Sequence, residues 1–300
     1  PVRGCGGESN HVHINVTASW PWIQPCSTTS TCTSARRFNS ILLRSNELSV
    51  LRATRSAASQ PRTMKAGASP PASRAAGVRT LVVHVLAVAA TALVLFWCIG
   101  FRGGLAFRSS DKQRIFNVHP PLMLIGLVVI AGEAILAYRT FPASVSRDAR
   151  TKAHLALHAA GLAVGLVGVY AVFKFHAEAA IPNLYSLHAW VGIATITLYA
   201  LQWLAGFLAF FFPGAAPETR RSAVPWHAVL GLLVFALAVG NAQLGFLEKL
   251  TFLQSPPARL VGKYGAEALL VNFTAVIVLL LGIAVVIATV NADSTRYTAM

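Results

Sequence analysis

Six stretches of this chain, roughly 81–100, 116–138, 154–174, 186–212, 226–246 and 266–290, are each apolar over about the length needed to cross a bilayer. Lipid gives the backbone no hydrogen-bond partner, so such stretches must satisfy their own amides as helices. Every break between them carries residues that end a helix: Arg102-Gly103-Gly104, Phe141-Pro142, Ile181-Pro182-Asn183, Phe212-Pro213-Gly214 and Ser255-Pro256-Pro257. The expected fold is an all-α integral membrane protein of six transmembrane helices, with antiparallel neighbours joined by short loops. Composition agrees. Hydrophobic residues are 55% of the 300 and charged residues 12%, against about 25% charged in a typical soluble protein. That excludes an ordinary soluble enzyme.

The formal charge of +15 is spread along the chain. Seven of the 25 basic residues lie in the first 63 positions and the others punctuate the apolar runs, as water boundaries of a helix bundle require, so no nucleic-acid partner is expected. Residues 1–63 differ from the rest. They are rich in Ser, Thr, Arg and Pro without sustained periodicity, and the first methionine is Met64. This stretch is expected to be a disordered or non-native leader, with a transit peptide as the alternative. Residues 64–80 then form an N-terminal segment, 81–290 the membrane domain and 291–300 a tail. Without the leader Cys98 is the only cysteine, so no intrachain disulfide can form. The side bearing both ends of the bundle collects ten basic residues against eight opposite, which favours cytosolic termini by the positive-inside rule.

Ionisable groups at membrane depth need a partner or a task, and six histidines qualify: His119, His154, His158, His176, His188 and His227. His84, in the first run, is expected to bond to a neighbouring helix. His119 and His188 fall near the starts of runs two and four, which point the same way, so both lie near one membrane face. His154 and His227 open runs three and five and lie near the other. Helical rise puts the two levels on the order of 20 Å apart. One imidazole from each of two helices at a common level is the arrangement for bis-imidazole ligation of haem iron. His158 lies one turn from His154 on the same face, so spacing alone leaves either as the ligand. Zinc is disfavoured, because neither level offers a cysteine or carboxylate to complete a tetrahedral set. Glu133, the one acid deep in a run, is expected to hydrogen-bond a polar neighbour toward the side bearing the basic loops, with a proton-relay role as the alternative.

The segments Phe116-Asn117-Val118-His119-Pro120, Gly132-Glu133-Ala134 through Tyr138-Arg139, Lys152-Ala153-His154, Tyr185-Ser186-Leu187-His188 and Pro225-Trp226-His227-Ala228 together resemble the cytochrome b561 family. Its plant vacuolar-type members are the nearest in look, and the resemblance covers residues 64 to about 295. It implies a central four-helix bundle with two haems b per chain, one held by His119 and His188 on the non-cytosolic side, the other by His154 and His227 on the cytosolic side. His158 then stands beside the cytosolic haem, with Glu133 also behind the ligands. The resemblance further implies a cytosolic ascorbate site of Arg139, Lys152 and Arg221, with Arg147 or Arg150 replacing a family lysine. On the acceptor side it implies Phe175, His176 and Tyr185, serving monodehydroascorbate or a ferric chelate. A homodimer in a vacuolar or other endomembrane, or in the plasma membrane, is implied as well. Gly161, Gly165 and Gly168 give one helix a small-residue face for close packing. The rival function is a small-solute or metal-ion transporter without haem, which would want broken helices or mid-depth carboxylates.

Overall fold

The computed structural model describes residues 74–141, 144–257 and 259–290. The chain divides into the units Pro1–Gly67 and Ala68–Met300. All described residues belong to the second, and the leader and tail expected over 1–63 and 291–300 lie outside them.

The protein is all-α, with no strand among the described residues. Among the described residues six helices are long and apolar enough to cross a membrane: α1 Gly77–Phe101, α2 Lys112–Thr140, α3 Arg147–Glu178, α4 Leu187–Phe211, α5 Pro217–Gln254 and α6 Ala266–Val290. The chain is a multi-pass integral membrane protein. Two helices outrun their apolar stretches. α3 starts at Arg147, where Ser146 Oγ accepts from Ala149 N–H, so a side-chain cap rather than hydropathy sets its first turn. Pro217 opens α5, where its missing amide costs nothing, and the helix continues through Pro225.

Three short segments widen to π-helical geometry: Trp97–Phe101, Ile125–Ile130 and Phe207–Phe211. Such a bulge adds a residue to the helix and shifts the facing of everything beyond it. The one in α2 matters for the site.

α2, α3, α4 and α5 close into a bundle, each packing on the next and α5 returning to α2. α1 and α6 pack on each other and against α2, and α6 also covers α5. The central helix is α2, with 56% of its apolar window buried against 17–33% in the others. It owes this to small residues. A Cβ on Gly126 would stand 2.6 Å from Gly161 O, and one on Gly161 would stand 2.7 Å from Gly126 O, so α2 and α3 are in backbone contact. The outer pair is pinned at both ends. Arg102, just past α1, forms an ion pair with Glu267 in the first turn of α6, and Trp97 Nε1 donates to the same carboxylate at 2.8 Å. At the other end Arg139 Nη1 donates to Ala288 O. An acid at the α6 N-terminus and a cation at its C-terminus both suit the helix dipole.

Candidate functional site

The bundle faces four imidazoles across its interior in two pairs. His119 of α2 and His188 of α4 have ring centroids 6.1 Å apart with planes at 85°. His154 of α3 and His227 of α5 are 6.2 Å apart at 65°. A ring nitrogen lies about 1.1 Å from its ring centre and metal–imidazole bonds are about 2.0–2.1 Å, so two imidazoles gripping one metal place their centroids about 6.2 Å apart. Both pairs stand at that separation. Among the described residues no group of three or more His, Cys, Asp or Glu could hold a metal ion.

Each ring has its Nδ1 engaged. His119 Nδ1 lies 3.0 Å from Gly168 O, His154 Nδ1 2.8 Å from Ala134 O and His188 Nδ1 3.1 Å from Asn241 O. A proton fixed on Nδ1 by a carbonyl leaves the Nε2 lone pair for a metal. His227 differs. Its Nδ1 is 3.1 Å from Gln202 Nε2, and that amide also donates to His227 O at 2.7 Å.

These partners follow a register. His154 and Gly168, His188 and Gln202, and His227 and Asn241 are each 14 residues apart. Four helical turns take about 14.4 residues, so each helix carries a ring at one level and a support for the other level's ring on nearly the same face. On α2 the corresponding residues, His119 and Ala134, are 15 apart, and the π segment Ile125–Ile130 between them absorbs the extra residue. The levels are therefore about 21 Å apart along the helices. Support is reciprocal: α2 and α3 hold each other's histidines, and so do α4 and α5.

Glycines make room for two rings. A Cβ on Gly245 would stand 2.8 Å from His188 Cε1, and one on Gly206 would stand 2.9 Å from His227 Cε1. Around His119 and His188 lies a cavity of about 530 Å³ walled mainly by apolar and aromatic side chains, among them Leu127, Val128, Phe116 and Phe246. Facing imidazoles at metal-gripping separation with Nδ1 atoms already engaged, and at the 119/188 level an apolar cavity, are what a porphyrin iron needs, and the residues fit haem.

His158 is not across from His227. Its Nδ1 is 2.6 Å from the Tyr199 hydroxyl and its ring packs edge-on to His154 at 4.5 Å, so it buttresses His154. Glu133 looks the other way: its carboxylate meets His84 Nε2 of α1 at 3.2 Å, and His84 Nδ1 is 2.7 Å from Thr80 O. The acid expected behind the ligands is thus a partner of α1.

At the 154/227 end, Lys152 pairs with Asp148 at 2.7 Å on an exposed turn, and Arg221 is exposed. Arg150 Nη1 reaches Tyr138 O at 3.5 Å. Arg139, expected with them, has one donor committed to the end of α6. At the 119/188 end, His176 Nδ1 is 3.0 Å from Asn183 Oδ1 and stacks on Tyr185 at 6.3 Å, while Phe175 is buried between Phe116 and His176. Burial first, then the nearby Glu248 carboxylate, pushes the Tyr185 phenol above its usual range. Gln202, Gly206, Gly245 and Lys249 enter the site without having been singled out in the sequence. The 14-residue return from a histidine would have marked Gln202.

Fold and site define a membrane helix bundle that sets two imidazole pairs at two depths. The family model for eukaryotic cytochrome b561 matches residues 118–253. A protein of Oryza sativa subsp. japonica described as probable ascorbate-specific transmembrane electron transporter 2 is 57% identical over 211 residues, which cover 70% of this chain and 88% of that protein. The ascorbate-specific transmembrane electron transporter 1 of Zea mays is also 57% identical, with the same coverage. The transmembrane ascorbate ferrireductase 1 of Arabidopsis thaliana is 52% identical over 215 residues, 72% of this chain and 87% of that protein. This chain belongs to the cytochrome b561 family, and membership implies haem b.

Proposed function

We propose that this protein is a transmembrane ascorbate-dependent oxidoreductase that takes electrons from cytosolic ascorbate and delivers them to monodehydroascorbate or a ferric chelate on the other side. The observation that carries this is the pair of facing imidazole sets, 6.1 and 6.2 Å between centroids, at the two levels of one bundle. His154 and His227 would hold one haem b, and His119 and His188 a second. When bound, haem b supplies reversible one-electron iron chemistry.

The protein residues do the rest. Lys152, Arg221, Arg150 and Arg139 give the 154/227 end a positive mouth that concentrates the ascorbate monoanion. On oxidation to monodehydroascorbate that anion loses one electron and one proton, the proton passing to water at this exposed face. At the opposite end monodehydroascorbate gains one electron and one proton. With Nδ1–H donated to Asn183 Oδ1, His176 gives that proton from Nε2 as the imidazolium, is left as the Nδ1–H tautomer, and takes a proton back from water at this face. Phe175 and Tyr185 wall the same position, and Tyr185 stays a neutral donor because its ionisation is pushed upward. A ferric chelate would take the electron alone. Both termini face the cytosol in this scheme, the membrane is vacuolar or another endomembrane, and the working unit is a homodimer of membrane domains spanning residues 81–290.

The test is spectroscopic and vectorial. Purified protein is expected to show a low-spin b-type spectrum with two haems per chain, and His154→Ala and His188→Ala are each expected to remove one. Vesicles with ascorbate on one side should reduce ferricyanide trapped on the other. Well-folded but colourless protein would favour the transporter function instead.

A further inference from the structure

The 119/188 cavity contains one lysine or arginine among its lining residues, Lys249 of α5. Its Nζ lies 3.8 Å from the centroid of the Phe116 ring and donates to Gln113 Oε1 at 2.9 Å. Both partners are neutral. An ammonium has three donors, and within a membrane protein such a charge ordinarily meets an anion.

The acids at this end are engaged elsewhere. Glu267 is bound by Arg102 and Trp97, and Glu178 lies between Lys112 and Lys174. Asp111 caps the Gln113 amide at 3.0 Å, and Glu248 accepts from Ser186 at 3.1 Å. Among the described residues no carboxylate lies within 4.0 Å of Lys249 Nζ.

Lys249 is also placed relative to the imidazoles. Gly245, against whose Cβ position His188 Cε1 would stand at 2.8 Å, is one turn before it on α5, about 6 Å along the axis. Phe116, beneath the ammonium, is 6.2 Å from the His119 ring. The cation therefore sits one turn outward from the ligand level, at the edge of the cavity and bordering both halves of the pair. A b-type porphyrin carries two propionates on one edge, and these are the anions such a cavity would receive.

We propose that Lys249 is the counter-charge for a propionate of the porphyrin held by His119 and His188, so that it both seats that group and favours its reduced state. This rests on the bis-imidazole reading of the site. Removing a nearby positive charge disfavours the reduced, less positive iron centre and lowers its potential.

The test uses the full chain in detergent or nanodiscs, with haem content, redox titration and haem loss to excess apomyoglobin as readouts. Lys249→Met is expected to lower the midpoint of one haem and speed its loss about tenfold, as for a charge-assisted hydrogen bond. The other haem should be unaffected and Lys249→Arg should restore both properties. If Lys249→Met accumulates poorly, Lys249→Gln compared with Lys249→Arg is expected to show the same difference in midpoint. Midpoints and loss rates equal to those of the unmodified protein would overturn the proposal, including where only the KM for an anionic acceptor rises. Absence of haem from the unmodified protein would instead remove the functional reading beneath it.

Discussion

The hairpins α2–α3 and α4–α5 perform the same task with different materials. In each, one helix supplies a ring to the 119/188 level and the other a ring to the 154/227 level, and each supports its partner's histidine about four turns away. The first hairpin does this wholly with backbone carbonyls, and can because Gly126 and Gly161 let the chains touch. The second stands on one carbonyl, at Asn241, and one side chain, Gln202. A carbonyl in a helix has a fixed position and only accepts, whereas a side-chain amide can turn either its oxygen or its nitrogen toward Nδ1. Three of the four rings are thus oriented by the fold itself, and the fourth by a replaceable residue.

The largest effect is expected where the first hairpin has no slack. In Gly161→Val the new Cβ would stand 2.7 Å from Gly126 O and 3.2 Å from the Tyr199 hydroxyl, so α2 and α3 must part. Overpacking of this kind costs about 1–3 kcal/mol or more, and both levels share this interface. Loss of both haem signals and a lower thermal midpoint are expected. Gly231→Ala in the second hairpin is the control: its Cβ would meet Gln202 Nε2 at 3.4 Å, ordinary contact, so its midpoint should stay close to that of the unmodified protein. Equal sensitivity at the two positions would break the contrast.

Next in size are changes confined to one ring. Gly245→Ala is expected to disturb the His188 level and Gly206→Ala the His227 level, because each methyl would press on a Cε1 closer than 3.0 Å. Each variant should shift the spectrum of one haem and leave the other. Gln202→Leu removes the one side-chain partner that the described residues offer to the Nδ1 atoms of the four facing imidazoles, and outer partners of ligating histidines are typically worth about 10–100-fold in metal affinity. A faster loss of the 154/227 haem, with the 119/188 haem unchanged, is the expected result. Retention at both levels would show that His227 needs no Nδ1 partner.

Much of this was legible in the sequence because lipid makes a harsh filter. Six apolar runs interrupted by Gly and Pro give the six helices, and ionisable groups such as His119 and His154 stand out since few are tolerated at depth. Alternating helix direction then brings His119 level with His188, and His154 level with His227. Other features carry no such mark. The π segment in α2 is a matter of how the helix is packed, and nothing in Ile125–Ile130 announces it. Glu133 and His84 are distant in sequence, so their contact awaited the α1–α2 packing. The length of α5 followed from Pro217 and packing beyond the lipid, where hydropathy no longer speaks. Gln202 is a single polar residue in an apolar run, and Lys249 follows Glu248 just past the end of run 226–246, so the role of each depends on which face it shares with a histidine.

The smallest effect is expected at the exposed mouth, and its direction distinguishes steering from structure. Lys152 and Asp148 are an exposed i,i+4 pair, a class that adds little to stability, so Lys152→Ala should leave the thermal midpoint and both haem spectra alone. What it removes is one positive charge near His154. The KM for ascorbate is expected to rise about two- to threefold at low ionic strength for Lys152→Ala, and similarly for Arg221→Ala, through loss of attraction for the monoanion. Asp148→Asn should do the reverse, because it strips a repelling charge and frees the lysine. A Debye length of about 3 Å at 1 M salt leaves little of a long-range field, so all three differences should shrink together as salt is added. A KM change in Lys152→Ala that persisted undiminished in high salt would mean direct contact with the donor, and opposite responses at Lys152 and Arg221 would mean that the two do not serve one mouth.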